Sequence, residues 1–294
     1  MRTGVSMFSK LAKKLFPLIG SMTLLSGCVS TGPHGNVLFD RAHVTDQTPS
    51  STILETLPEP DQKLPVVVYD FSDQTGQFKN NGSYTDYSSA VTKGGYAILV
   101  NAMLAAGNKK WFTVIERGGL KDLLQERQIV NTTRLQYKTK SGDTLEPLPP
   151  MLYGGMLIEG GIISYDSNVE TGGAGASYLS LSSSVQYHRD LVCVYLRAVN
   201  VQTGEVVESV TSSKTVFSVL VDTNFIKYVS VSNLFQAETG VSANEPTQLA
   251  VRQAIETGLY SLIMEGAVDG LWKFKDDKAG QKAIAEYLKR KQGR

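Results

Sequence analysis

Two stretches of this chain alternate polar and apolar residues over arms of roughly ten residues, and they constrain the fold more than anything else in it. The first, SYDSNVETGGAGASYLSLSSSVQYHR, runs from Ser164 to Arg189; the second, TSSKTVFSVLVDTNFIKYVSVSN, from Thr211 to Asn233. On the outgoing arm of the first, Ser164, Asp166, Asn168 and Glu170 fall on one face, while Ile163, Tyr165, Val169 and Thr171 fall on the other. On its return arm Ser182, Ser184, Gln186 and His188 oppose Leu181, Val185 and Tyr187. In the second stretch Lys214, Ser218 and Asp222 oppose Thr215, Phe217, Val219 and Val221. Its return arm, Phe225 to Val231, is mixed and puts Lys227 on the apolar side, so its register stays open. Arms of this length suit a tilted membrane-spanning strand with an apolar outer face and a polar inner one. The same alternation also serves a half-buried sheet in water.

The N-terminus bears on that choice. Arg2, Lys10, Lys13 and Lys14 precede an apolar run, LFPLIGSMTLL from Leu15 to Leu25, that is too short to span a bilayer as a helix and fits a signal peptide. It ends in LSGC, Leu25 to Cys28, the bacterial lipoprotein box, in which cleavage before the cysteine leaves it as an acylated N-terminus. Residues 1–27 are therefore expected to be a lipoprotein signal peptide. Cys28 is the expected lipidation site, and because Val29 and not Asp follows it, resemblance to other lipoproteins implies the outer membrane as the destination. The alternative is a secretory signal with an incidental cysteine. The second cysteine, Cys193, lies in the apolar run LVCVYL and is expected to be a buried strand residue; no internal disulfide is expected. With the outer membrane as destination, the two hairpins are read as inserted. Asp166, Asn168, Glu170 and Ser218 are then the lumen-facing candidates. Two hairpins give only four strands, and open strand edges in lipid leave backbone groups unpaired at several kcal/mol each. Insertion thus requires that several copies close one barrel together.

The rest of the chain reads as strands alternating with helices. Residues 28–64 are rich in Thr, Pro, Gly and Asp and are expected to form a lipid-anchored extended tether with one short helix near Ser51 to Thr56. Val66 to Phe71 reads as a buried strand and Trp111 to Glu116 as another. Between them Val91, Ile98, Ala102 and Ala105 recur at helical spacing. Leu120, Leu123 and Leu124 mark a second helix ending near Val130. Met156 begins a third strand, and DLVCVYLRAV and EVVESV flank turn residues as a hairpin. A helix follows SANEP to about Glu265, with Val251, Ile255, Leu259, Leu262 and Ile263 on one side, and a charged helix covers 276–292. The expected fold class is an α/β periplasmic domain plus two transmembrane β-hairpins per subunit that close into one large oligomeric β-barrel. Its expected parts are residues 65–163 and 190–210 for the domain, 164–189 and 211–233 for the hairpins, and 234–294 for its C-terminal helices.

Several kinds of chemistry find no support. His34, His43 and His188 have no partner at metal-ligand spacing. Phosphate-loop and hydrolase motifs do not occur, and TGGAGAS lies within an alternating β pattern. A net charge of +1 with dispersed basic residues argues against nucleic acid. No enzyme activity and no cofactor beyond the covalent lipid on Cys28 are expected.

One loop stands apart. FSDQTGQFKNNGSYTDYSS, Phe71 to Ser89, is long and polar, yet carries Phe78, Tyr84 and Tyr87. With DQTGQFK, WFTVIERGGLKDLLQER, YDSNVETGGAGASY, ANEP, AIETGLYSLI and DGLW in one order, the chain resembles the curli production assembly and transport family, the CsgG-type secretion channels. The resemblance covers most of the chain after the signal peptide. It implies a lipid-anchored outer-membrane homo-oligomer, usually nine-fold. At two hairpins per copy that makes about 36 strands, the size of the largest known barrel. It further implies unfolded curli-like subunits as the passenger, a periplasmic capping accessory protein and a surface nucleator as partners, and passive transport. The loop over residues 76–89 would form the pore constriction. Counting back from SSAV, Tyr87 falls where the family has Phe and Asp86 where it has Asn. This loop is one residue longer than the family pattern, so the upstream aromatic position falls to Tyr84, with Asn81 as the polar alternative. Tyrosine offers a stiff, water-tolerant ring that can brush an extended chain; packing of Tyr84 and Tyr87 on the domain is the competing reading. The competing function is a non-channel outer-membrane lipoprotein whose α/β domain binds a periplasmic or envelope partner.

Overall fold

The computed structural model describes residues 47–76, 92–138, 140–171, 186–222, 225–229 and 246–292. Its core is built around one long helix near the C-terminus. Pro246–Val268 buries Ala250, Val251, Ala254, Ile255, Leu259, Leu262, Ile263 and Met264. The apolar side expected from Val251, Ile255, Leu259, Leu262 and Ile263 is thus the core side. Small residues between the large ones let the helix lie close against a sheet.

In chain order the elements are helix α1 (Pro49–Glu55), strands β1 (Leu64–Val67) and β2 (Phe71–Asp73), helix α2 (Gly95–Lys109), strand β3 (Phe112–Ile115) and helix α3 (Leu120–Gln136). Strands β4 (Met156–Thr171), β5 (Gln186–Asn200), β6 (Val206–Asp222) and β7 (Phe225–Val229) follow, then α4 (Pro246–Val268) and α5 (Asp277–Gln292). All seven strands form one sheet in the order β3-β1-β4-β5-β6-β7, with β2 also paired to β4. Strands β3, β1, β2 and β4 run parallel, and β4 to β7 are antiparallel. The expected single strand over Val66–Phe71 is two short ones, β1 and β2, which pair with successive parts of β4.

Strand β5 shows the period-2 pattern plainly. Val192, Val194, Leu196 and Ala198 are fully buried on the helix side, and the residues between them are half-buried. That alternation corrects one expectation: Cys193 is half-buried on the face away from the helices. In α2 the core face is Leu99, Ala102, Met103 and Ala106, rotated from the expected set, and Leu104 is exposed. The helix starts at Gly95, and the large Leu99 and Met103 take the inward stripe. It breaks at Ala106, where ψ is 124°, and delivers Trp111 into the core, with Nε1 donating to Pro58 O at 2.9 Å and the ring edge-on to Phe274.

The tether stops short of its expected end at residue 64. Helix α1 is capped by Thr48 in a reciprocal box with Ser51, and Leu54 is fully buried. The Thr48 hydroxyl bonds the buried Glu256 carboxylate, which also accepts from Arg252 Nε at 2.9 Å. From Gln47 onward the chain belongs to the folded unit.

The expected hairpin limits fall inside continuous strands. Strand β4 runs unbroken through 163/164, β5 through 189/190 and β6 through 210/211. The two hairpins are extensions of the domain's own strands rather than insertions into it. The β4–β5 ladder carries a register shift at Ile163. The architecture is mixed α/β on one open sheet.

Candidate functional site

The loop singled out in the sequence leaves and rejoins the domain at one place. Its first foot is β2. Gln74 N donates to Ile162 O at 2.9 Å, extending β2 along β4. Asp73 then turns the chain, its Oδ1 accepting from Thr75 N at 2.9 Å and Thr75 Oγ1 at 2.7 Å. The Gln74 side chain crosses the face away from the helices, donating through Nε2 to Tyr195 Oη at 3.1 Å. It lies over Gly161, where a Cβ would stand 2.9 Å from both Gln74 Nε2 and Ser72 O, so only glycine admits this crossing.

The second foot is the start of α2. Thr92 Oγ1 accepts from Gly94 N at 3.1 Å. Gly95 lies against Phe71, where a Cβ would be 2.3 Å from the ring. Phe71 is itself buried, so residues 71 and 95 hold the two feet together on the sheet beside the Ile163 irregularity. The tips expected to matter, Asn81, Tyr84, Asp86 and Tyr87, lie outside the described residues, as does Cys28.

The second foot is locked to the next element. Tyr96 Oη donates to Glu116 Oε1 at 3.0 Å and accepts from Gly118 N at 3.2 Å, and Glu116 Oε1 accepts from Gly119 N at 2.7 Å, just before α3. The Gly119 N–H bond, with those from Tyr96 and Gly118, outweighs burial and holds the Glu116 carboxyl below its usual range. Burial, together with the Glu116 partner, raises the Tyr96 phenol. A lowered folded-state value means the contribution is present above the unfolded carboxylate range and is lost as pH falls through the lowered value. Glu116→Gln should therefore be less stable than wild type at neutral pH by about 1 kcal/mol, with the gap closing in acid. Thermal unfolding midpoints across pH measure this.

Above the Ile163 irregularity the sheet continues as a ribbon of four strands. Ser164, Asp166 and Asn168 pair with Cys193, Leu191 and Arg189, and Glu170 pairs with Tyr187. Tyr187 pairs in turn with Val219, whereas His188 pairs with Ser218. The register thus brings Asp166, Asn168 and Glu170 together on one face, with Asp166 and Asn168 exposed, and sets Ser218 on the opposite face. One side of this sheet does not carry all four. Gln186 and His188, paired with Thr171 and Val169, fall on Ser218's side. Beyond Ile162, β4 pairs only with β5, and β7 only with β6, so among the described residues both ribbon edges are unpaired. Sequence reasoning missed the clamps at Gln74 and Glu116, because Gln74 and Tyr195 stand 121 positions apart and nothing local marks the pair.

Fold and site together define a class of protein: an α/β domain whose sheet carries an open-edged four-stranded ribbon beside a clamped loop. The family model described as "Curli production assembly/transport component CsgG" matches residues 48–292. The chain is 36% identical to the curli production assembly/transport component CsgG of Escherichia coli (strain K12), covering 92% of this chain and 95% of that one. It is 35% identical to the protein of that name from Salmonella typhimurium (strain LT2), covering 91% and 94%. The chain belongs to the CsgG family of curli production assembly/transport components. Among solved structures, the PelC dodecamer from Paraburkholderia phytofirmans matches over 70% of this chain and 90% of that one, at 12% identity and a TM-score of 0.28; a likeness at that level carries no argument.

Proposed function

We propose that this chain is one subunit of an oligomeric outer-membrane channel that passively secretes unfolded curli-like amyloid subunits. The observation that carries the reading is the ribbon β4-β5-β6-β7, whose two edges are unpaired among the described residues. In lipid such edges are satisfied only by pairing β7 of one copy with β4 of the next until the ring closes. Family membership supports a transport component rather than an enzyme. In this reading Cys28 carries the lipid, and the α/β domain with the base of its sheet stands on the periplasmic side below the barrel. A capping accessory protein and a surface nucleator act at its two ends.

The clamped loop is the constriction. Its two feet meet at Phe71 and Gly95, so its tip has a fixed origin on each subunit, and a ring of such loops narrows one level of the lumen. Tyr84, Asp86, Tyr87 and Asn81 supply the narrowing groups. No energy source is invoked: confinement of the unfolded passenger and its assembly outside bias diffusion.

Extraction and reconstitution test this. The protein should resist salt washing, migrate as one large oligomer, and give discrete single-channel steps in planar bilayers. A protein released by salt as a monomer that never conducts would instead support an envelope lipoprotein binding a partner through its α/β domain.

A further inference from the structure

A loop can narrow a channel at one level only if its own level on the sheet is fixed. The first leg leaves the sheet at Gln74, whose N–H donates to Ile162 O and whose Nε2 donates to Tyr195 Oη. The first candidate tip residue, Asn81, follows seven residues later. If that hold opens and the leg peels back to Phe71, three residues are freed, about 10 Å of extended chain. The tip would then wander by a distance comparable to the width it is meant to set. The position of Tyr195 Oη is therefore as consequential as the tip itself.

The register says what can hold that phenol. Tyr195 stands opposite Gly161 of β4 and Thr211 of β6, and Arg197 stands opposite Glu159 and Ser209, on the face away from the helices. Gly161 has no side chain and Thr211 is too short to cover a ring, so neither cross-strand neighbour sets the ring's tilt. Arg197 does. Its guanidinium lies over the Tyr195 ring, 5.2 Å from the centroid. Arg197 Nη2 meets Glu159 Oε2 at 3.4 Å, and Arg197 Nε is buried without an acceptor among the described residues. The ring face and the Glu159 carboxylate are thus what hold the guanidinium. Both partners of the ion pair are about two-fifths exposed, so it adds little stability, and its consequence is geometric. Glu159 lies on β4, the strand that the Gln74 side chain crosses at Gly161. The carboxylate draws the guanidinium, and the ring beneath it, toward the side from which Gln74 reaches in.

We infer that Arg197, steadied by Glu159, is a positioning residue for the loop: it keeps the Tyr195 phenol where Gln74 binds it, and so fixes the level at which the loop leaves the sheet. This rests on the channel reading above. In planar bilayers Gln74→Ala and Tyr195→Phe should each raise the variance of the open-channel current several-fold relative to its mean. The double variant should be no noisier than either single one, because both remove the same bond. Arg197→Met keeps the apolar stem and removes the charge. It should raise the variance when Tyr195 is intact and add nothing to Tyr195→Phe, and Arg197→Lys, which restores a cation over the ring, should recover part of the quiet current. Wild-type variance in both Gln74→Ala and Tyr195→Phe overturns the inference and leaves the channel standing. So does an Arg197→Met increment of equal size with and without the Tyr195 hydroxyl, which makes Arg197 a general stabiliser of the sheet. Should Arg197→Met fail to assemble, Glu159→Gln decides by the same comparison, since it removes the tether of the guanidinium. A wild-type protein that never conducts defeats the channel reading and this inference with it.

Discussion

Val219→Arg is expected to abolish assembly in the outer membrane, whereas Ser218→Arg one residue away leaves a conducting ring of altered conductance. An arginine on the lipid face of a barrel near the bilayer midplane costs about 2–4 kcal/mol per copy, and a closed ring repeats that cost in every subunit. The same side chain on the lumen face stays in water. The two positions are adjacent on β6, so they fall on opposite faces whatever the register. Heat-stable oligomer in outer-membrane fractions is the readout, and equal damage from both substitutions would sink the assigned alternation.

The same experiment bears on β4. In the structure Asp166, Asn168 and Glu170 share Val219's face, through Glu170–Tyr187 and Tyr187–Val219. If Val219 meets lipid, two carboxylates and an amide per copy are carried there too, unless β4 slips one residue against β5 above Ile163. Because the side-chain period is two, that single slip moves all three to Ser218's side. Asn168→Cys in a Cys193→Ser background, reacted with a membrane-impermeant thiol reagent, reads the outcome. Labelling like that of Ser218→Cys means the strand has slipped; protection where Ser218→Cys reacts means the register of the single subunit persists in the ring.

Tyr87→Ala should widen the narrowest level of the channel and raise its conductance several-fold. Asp86→Asn should lower cation preference with little change in conductance. A carboxylate contributed by every copy forms a charged ring around a narrow lumen, and such rings select cations. The amide keeps the size and removes the charge. The motivation is positional: the loop's feet meet at Phe71 and Gly95, and Tyr87 stands eight residues before the second foot. Reversal potentials under a salt gradient and unitary currents give both answers. If neither substitution moves its own readout, the loop does not set the constriction, and its tyrosines pack on the domain.

The sequence by itself determined most of the elements and the inward face of α4. The stripe of α4 from Val251 to Ile263 was legible because side chains of one kind recur at the element's own period, whereas in β5 both faces carry apolar residues and the inward set Val192 to Ala198 was not told apart from Cys193. Family membership was legible too, since long motifs such as DQTGQFK and DGLW keep their order along the chain. What only the tertiary structure decided depends on partners remote in sequence. Nothing local says that Gln74 reaches Tyr195, that α1 is held by Glu256, or that Leu124 and Leu135 on α3 find no cover in their own subunit. The register of β4 against β5 belongs to the same class. Each strand announces its two faces alone, but which face of one joins which face of the next is fixed by backbone pairing, and a shift of one residue there exchanges polar for apolar without changing a letter of the sequence.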